Sequence, residues 1–140
     1  MKTGERSIDL VGALLCREGR VLLGLRAAHK QRSPNRWDML GGHVEAGETP
    51  EQALWRELQE EAGISEVERE RESVPATAQV VSEFTLEGAM LRVYRIDRWD
   101  GEPEALGDEH ERLQWFAPEQ AAALPDLADP RLREILLQLG

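Results

Sequence analysis

Three glutamates stand close together near the middle of the chain, at positions 57, 60 and 61. In a helix that turns by about 100° per residue, Glu57, Glu60 and Glu61 fall within an arc of roughly 100° on one surface. Like charges at this spacing destabilise a bare helix by about 0.3 kcal/mol per pair. A bound divalent cation would remove that repulsion, and carboxylate oxygens are ligands that Mg²⁺ and Mn²⁺ prefer. The pattern therefore allows two interpretations, a solvated acidic face or a metal site.

The residues around these acids carry the signals of a helix with defined ends. Thr49 is a suitable N-cap, Pro50 follows at the first helical position, and Gly63 is a C-terminal stop signal, so the sequence predicts a helix over 50–62. The loop before this helix contains Gly41, Gly42 and Gly47. Glycines in such a loop indicate turns with positive φ or a backbone that approaches a ligand closely. The loop therefore favours a ligand site over a solvated face.

Residues 42–64 resemble the Nudix box of the Nudix hydrolases, G-x5-E-x7-R-E-U-x-E-E-x-G-U, in which U is a bulky apolar residue. Every fixed position is matched, by Gly42, Glu48, Arg56, Glu57, Leu58, Glu60, Glu61, Gly63 and Ile64. The resemblance implies a loop–helix–loop that binds a divalent cation, Mg²⁺ or alternatively Mn²⁺, and the diphosphate of a substrate.

The resemblance also implies a role for each acid of the box. The expected metal ligands are Glu57, Glu60, Glu61 and Gly42. Glu57 and Glu60 would also be catalytic residues, with Glu57 a candidate general base. Glu48 and Arg56 would form an ion pair that fixes the loop against the helix.

A second acidic segment, residues 107–116, resembles the part of the family that lies before a Trp-Phe strand. Glu109 matches best the acid that supplies a further metal contact or the general base, with Glu111 and Asp108 as rivals. The alternative interpretation is a solvated acidic loop.

Basic residues precede the glycine-rich loop and are candidates for binding the substrate. Arg26 ends a predicted strand, at a point where family members often have a basic residue that faces the substrate; the alternative is a solvated arginine. Lys30, Arg32 and Arg36 follow in a polar loop that could hold phosphate or serve only solubility. Trp37 is expected at the rim of the core, with base stacking as the alternative. The candidate substrate contacts are Arg26, Arg36 and Trp37.

The pattern of apolar residues predicts one domain over residues 1–140, of α/β or α+β class. Strands are expected at 8–15, 21–26, 37–40, 77–86, 89–99 and 113–116, with short helices at 118–124 and 130–139. The charged stretch 65–73 is expected to be a connector or a solvent-facing strand. The resemblance implies the Nudix fold, a mixed β-sheet sandwiched between helices in an α/β/α arrangement.

Charge and composition limit the possible partners and location. The net charge is −10, which argues against binding polymeric nucleic acid. The single cysteine, Cys16, excludes an intrachain disulfide. We expect a cytoplasmic protein without a membrane segment, because there is no signal peptide and no long apolar run. A monomer and a homodimer both remain open.

The resemblance implies an enzyme that uses Mg²⁺ to hydrolyse a phosphoanhydride bond in a nucleoside-diphosphate-linked small molecule. The short chain favours a nucleoside triphosphate, including an oxidised one, which would be cleaved to a monophosphate and pyrophosphate. ADP-ribose or another nucleotide sugar is the first alternative. A nucleotide-sensing module without catalysis is an alternative of another class. Isomerase chemistry on an isoprenoid diphosphate would need a catalytic cysteine, and Cys16 lies in an apolar strand.

Overall fold

The computed structural model describes residues 7–68 and 77–139. Within these residues, seven strands form one mixed sheet that lies between helices, which confirms the expected α/β/α fold. The strands are β1 (Leu10–Arg17), β2 (Arg20–Arg26), β3 (Trp37–Asp38), β4 (Leu40–His43), β5 (Ala78–Leu86), β6 (Ala89–Ile96) and β7 (His110–Phe116). The helices are α1 (Pro50–Ala62), α2 (Pro118–Ala122) and α3 (Leu132–Leu137). None of these helices is long and apolar enough to cross a membrane.

Strand β1 is the centre of the sheet. It pairs in parallel with β6 along one edge, and in antiparallel fashion with β4 and then β2 along the other. Its side chains alternate between the two faces, with Leu14 and Cys16 in one core cluster and Val11 and Leu15 in the other. Both faces are covered, so β1 is apolar almost throughout.

Helix α1 covers one face of the sheet, and α2 and α3 cover the other. Leu54 and Leu58 of α1 are fully buried, as are Leu132 and Leu136 of α3. Burial of each of these leucines stabilises the fold by about 2 kcal/mol. The leucines of α1 thus fix the rotation of the helix and, with it, the direction in which its glutamates point.

The ends of α1 are those that the sequence predicts. Thr49 Oγ1 accepts a hydrogen bond from Gln52 N at 3.1 Å, and Gln52 Oε1 accepts one from Thr49 N at 2.8 Å. At the other end, Gly63 adopts a φ of +69° and its N–H donates to the Gln59 carbonyl at 3.1 Å. This reciprocal cap and the left-handed glycine satisfy backbone groups that the helix ends would otherwise leave unpaired.

Several predicted boundaries differ from those in the structure. The expected strand at 37–40 is two strands, β3 and β4, that pair with β2 and β1 respectively. Strand β7 begins at His110 and not at residue 113, because its pairing with β2 continues through a bulge at Leu25 and Arg26. Helix α3 is shorter than 130–139. Most of the expected connector, from residue 69 onward, lies outside the described residues.

The glycines of β4 let this strand lie against β1. Gly41 is paired with Gly12, and Gly42 is paired with Val11. A Cβ atom at Gly41 would lie 2.0 Å from the Val11 carbonyl oxygen, and the φ of Gly41 is +143°. Only glycine fits this position without moving the strand, which carries one wall of the site described below.

Replacing Gly41 by alanine should therefore lower the free energy of unfolding by about 3 kcal/mol or more, because strain and a clash with the backbone of β1 add. Gly47→Ala is a matched control, since Gly47 also has a positive φ, +84°, but its Cβ would meet nothing within 4 Å. That variant should lose only about 1 kcal/mol. Equal losses in urea unfolding would contradict the close approach of β4 to β1.

Candidate active site

A cavity of about 530 Å³ opens where α1, β4, the loop after β2 and the start of β7 meet. Glu57 and Glu109 bring carboxylates to its wall, and Arg26, Lys30 and Arg32 bring positive charges. A further part of the wall is apolar and is formed by Met39, Phe84, Leu86 and Leu91. The cavity thus joins an acidic region, a basic loop and an apolar surface.

The carboxylate of Glu57 lies directly against the backbone of Gly42. A Cβ atom at Gly42 would be 2.5 Å from Glu57 Cδ and 2.6 Å from Oε2. A side chain at position 42 would therefore displace the carboxylate. Glycine at position 42 of the box therefore leaves the space that the Glu57 carboxylate occupies.

Glu61 is the buried member of the acidic group, with only 4% of its side chain exposed. Its Oε1 accepts a hydrogen bond from Gly41 N at 3.3 Å, whereas Oε2 receives none from the described residues. Burial raises the pKa of Glu61 well above its usual range, and the neighbouring Glu57 carboxylate raises it further. A proton on Glu61 thus relieves the repulsion between these two carboxylates.

Arg56 links the glycine-rich loop to the helix. Its guanidinium binds Glu48 through two contacts, Nε to Oε2 at 2.6 Å and Nη2 to Oε1 at 3.0 Å, and also donates to the His43 carbonyl at 2.9 Å. This pairing lowers the pKa of Glu48. The ion pair implied by the resemblance is therefore present, in the two-pronged form that gives Arg–carboxylate pairs their fixed geometry.

Glu60 does not join Glu57 and Glu61. Its side chain is 58% exposed, and its nearest charged contact is Arg56 Nη1 at 3.5 Å. The same nitrogen donates to Glu57 Oε1 at 2.8 Å. No three acidic, histidine or cysteine side chains in residues 7–68 and 77–139 lie close enough together to hold a metal ion. The three carboxylates expected to bind the metal are thus not brought together in this structure, because Glu60 extends toward solvent and Arg56.

The donor groups nevertheless suit a divalent cation. Glu57 and Glu61 are neighbours, both offer hard oxygen atoms, and Glu61 Oε2 is a buried oxygen with no donor among residues 7–68 and 77–139. A cation at this point would supply the positive charge that the pair lacks. Rotation of the exposed Glu60 side chain would bring a third carboxylate toward it.

Glu109 lies on the cavity wall in an ion pair with Lys30, whose Nζ is 2.7 Å from Oε1. Burial alone would raise the pKa of Glu109, but Lys30 and the more distant charge of Arg26 outweigh it and lower the pKa. Glu109 is therefore an ionised acceptor at neutral pH, as a base requires.

The basic and aromatic candidates separate in the structure. Arg26 lines the cavity with only 15% of its side chain exposed, and its Nε donates to the Arg32 carbonyl at 2.9 Å. The described lining includes neither Arg36, which is exposed, nor Trp37. Trp37 is buried in the core and makes an edge contact with Phe116 at 5.1 Å between ring centroids. Of these three candidates, the described lining of the cavity thus includes Arg26 alone.

The family model described as the NUDIX domain matches residues 7–139 of this chain. The protein belongs to the Nudix family. It is 33% identical over 120 residues to the CTP pyrophosphohydrolase of Escherichia coli (strain K12), a match that covers 86% of this chain and 83% of that protein. It is 33% identical over 112 residues to the 8-oxo-dGTP diphosphatase of the same organism, covering 80% and 81%.

Solved structures agree with this assignment. The crystal structure of a MutT NUDIX hydrolase from Burkholderia pseudomallei superposes with a TM-score of 0.70 at 30% identity, covering 96% of this chain and 98% of that one. A MutT structure from a study of the Aliivibrio salmonicida and Vibrio cholerae proteins superposes with a TM-score of 0.72 at 26% identity. The match covers 95% of this chain and 99% of that one. The fold and the family together make this protein a Nudix-type hydrolase.

Two polar residues at or behind the cavity wall were not predicted from the sequence as site residues. His110 follows Glu109 and lies buried behind the acids, and Asp38 lines the cavity between Trp37 and the glycines. The sequence predicts the last strand at 113–116. A prediction that began three residues earlier, at His110, would have placed this side chain on the inner face of the sheet. Gly24, which pairs opposite β7, was the other available signal.

Asp38 sits deep in the cavity, although 20% of its side chain is exposed. Burial raises its pKa to about 6, against the opposing effects of the Met39 N–H and the Arg26 charge. The folded protein therefore binds this proton more tightly than the unfolded chain does. Stability from this group is complete below the unfolded pKa of about 4 and is lost as the pH rises through about 6.

Asp38→Asn should remove this loss while keeping an acceptor for the Met39 N–H. We expect the variant to unfold with about 2 kcal/mol more free energy than the wild type near pH 8, and the gain to vanish below about pH 4. Urea unfolding across this range measures it. Asp108→Asn, at a side chain that is 90% exposed, should show no such trend. A gain for Asp38→Asn that does not depend on pH would contradict the raised pKa.

Proposed function

We propose that this protein hydrolyses a phosphoanhydride bond of a nucleoside triphosphate and releases a monophosphate and pyrophosphate. The observation that carries the proposal is the meeting of acidic, basic and apolar surfaces in one cavity. The acidic group suits a cation, the basic loop suits phosphate, and the apolar wall suits a base. A nucleoside triphosphate offers these three chemistries in one molecule.

Hydrolysis of an anhydride requires that charge on the phosphate oxygens be neutralised and that a water molecule attack in line. Glu57, Glu60 and Glu61 would hold a divalent cation, Mg²⁺ or Mn²⁺, beside the backbone of Gly42. When bound, this cation supplies charge neutralisation and activation of the attacking water. Arg26 and Lys30 add positive charge from the loop side of the cavity. Together they would counter the charge of the polyphosphate from two directions.

The proton of the attacking water goes to a carboxylate, Glu109 or Glu57. Glu109 is the stronger candidate for this step, because its lowered pKa keeps it ionised at neutral pH and it faces the cavity. Its ion pair with Lys30 also suggests an order of events. A phosphate that attracts Lys30 would leave the Glu109 carboxylate free to accept a proton.

The base would occupy the apolar part of the cavity. Met39, Phe84 and Leu91 provide the surface against which a flat ring packs. Asp38 lies in the same cavity and offers carboxylate oxygens to an amino group or a ring N–H. Two similar proteins support a triphosphate, since one is named CTP pyrophosphohydrolase and the other 8-oxo-dGTP diphosphatase.

The other hypotheses receive less support from the residues. Sensing modules related to this family typically lack acids of the box, and this chain keeps them all. Isoprenoid isomerase chemistry lacks its cysteine, because the Cys16 thiol is buried in the core and donates to the Leu14 carbonyl at 3.7 Å. Nucleotide sugars such as ADP-ribose differ from triphosphates in their products and are separated by experiment.

A substrate panel in Mg²⁺ tests the proposal, with CTP, 8-oxo-dGTP, other nucleoside triphosphates and ADP-ribose as members. We expect pyrophosphate and a nucleoside monophosphate from at least one triphosphate. AMP and ribose 5-phosphate from ADP-ribose alone would replace the proposal by its first alternative. Nucleotide binding without turnover of any member would indicate the sensing module.

Glu57→Gln should lower kcat by about 10²–10⁴-fold, because the amide removes a negative oxygen beside Gly42 while keeping the size of the side chain. The fold should survive, which a thermal unfolding curve checks. Glu134→Gln is the control, since Glu134 is exposed on α3. Near-normal turnover in Glu57→Gln would remove this carboxylate from the chemistry.

A further inference from the structure

His110 is a buried histidine whose ring has no hydrogen-bond partner among the described residues. Only 2% of its side chain is exposed, and both Nδ1 and Nε2 lack a partner. Nδ1 lies 3.9 Å from Oε1 of Glu61. Each buried polar atom without a partner costs about 1–3 kcal/mol, so two in one ring indicate a requirement other than packing.

The neighbouring strand β2 has a glycine, Gly24, at the point where the His110 ring packs against it. A Cβ atom at Gly24 of β2 would lie 2.5 Å from His110 Cδ2 and 3.0 Å from Nε2. Strands β2 and β7 also shift register beside it, at Leu25 and Arg26. The glycine and the bulge together place the imidazole behind Glu61, so the position of the ring is built into the sheet.

The ring is surrounded by charges of both signs. The charges that act on it are those of Glu109, Arg26 and Lys30. An imidazole has at least one N–H, so the His110 ring can donate a hydrogen bond. The Glu61 carboxylate is the adjacent group that would best accept a hydrogen bond from the His110 ring.

We propose that His110 is a positioning residue of the metal site, whose ring donates Nδ1–H to Glu61 and so directs the second carboxylate oxygen toward the cation. Closing the present distance to hydrogen-bond length takes a shift of about 1 Å. Loss of such an outer partner typically weakens metal binding or activity by about 10–100-fold. The inference rests on the proposed function, because it assumes that Glu61 is a metal ligand.

The test measures Mn²⁺ affinity by electron paramagnetic resonance in the absence of nucleotide. Asparagine can place an amide N–H near the position of Nδ1, whereas glutamine places it near Nε2 and leucine has none. His110→Leu and His110→Gln should weaken Mn²⁺ binding by about 10–100-fold, and His110→Asn should restore most of it. Glu134→Gln, at an exposed side chain of α3 that does not line the cavity, is the control and should bind Mn²⁺ normally.

The outcomes separate the two proposals. Normal Mn²⁺ affinity in His110→Leu, or equal losses in the leucine and asparagine variants, would overturn the role of His110 and leave the proposed hydrolysis untouched. A wild-type protein that binds no Mn²⁺ and hydrolyses no nucleotide would overturn both.

A second measurement needs no substitution at His110 and therefore does not depend on how the variants fold. The ¹⁵N shifts of the His110 ring in the Mg²⁺-loaded wild type report which nitrogen carries the proton, with His29 and His43 variants used for assignment. We expect a protonated Nδ1 and an unprotonated Nε2. The reverse tautomer would contradict the proposed hydrogen bond.

Discussion

A carboxylate buried between a helix and a sheet is the constraint on which the rest of this site depends. Within the part of the chain that the structure describes, Gly41 N donates to one oxygen of Glu61 and no group donates to the other. Taking an ionised carboxylate out of water costs several kcal/mol, so Glu61 must share a proton with Glu57 or meet a cation. The glycines follow from this, since Gly41 brings its N–H to Glu61 and Gly42 leaves room for Glu57. The burial of Glu61 and its repulsion with Glu57 therefore favour the binding of a positive charge between them.

Arg56 provides the counter-charge that lets these acids coexist without a cation. It holds Glu48 in a two-pronged pair and contacts Glu57, and through the His43 carbonyl it fixes the loop that carries Gly42. Binding of a cation would compete with Arg56 for Glu57. The loop would keep its anchor in that event, because the contacts with Glu48 and the His43 carbonyl do not involve Glu57.

The sequence predicts helix α1 and its acids well because the signals are local. The cap at Thr49, the stop at Gly63 and the spacing of the glutamates need no knowledge of distant residues. Other features depend on packing between remote segments. A helical wheel places Glu57, Glu60 and Glu61 on one arc, but only the packed sheet buries Glu61 and leaves Glu60 in solvent. His110 was missed because its burial depends on β2, and Trp37 is withdrawn from the cavity by its contact with Phe116.

Anomalous scattering from crystals soaked in Mn²⁺ locates a cation bound to Glu57 and Glu61 without reference to activity. We expect a peak between the carboxylates of Glu57 and Glu61, beside the backbone of Gly42, and we expect Glu60 to turn away from Arg56 toward this peak. A peak only elsewhere in the molecule, or no peak between Glu57 and Glu61 at saturating Mn²⁺, would contradict this cation site.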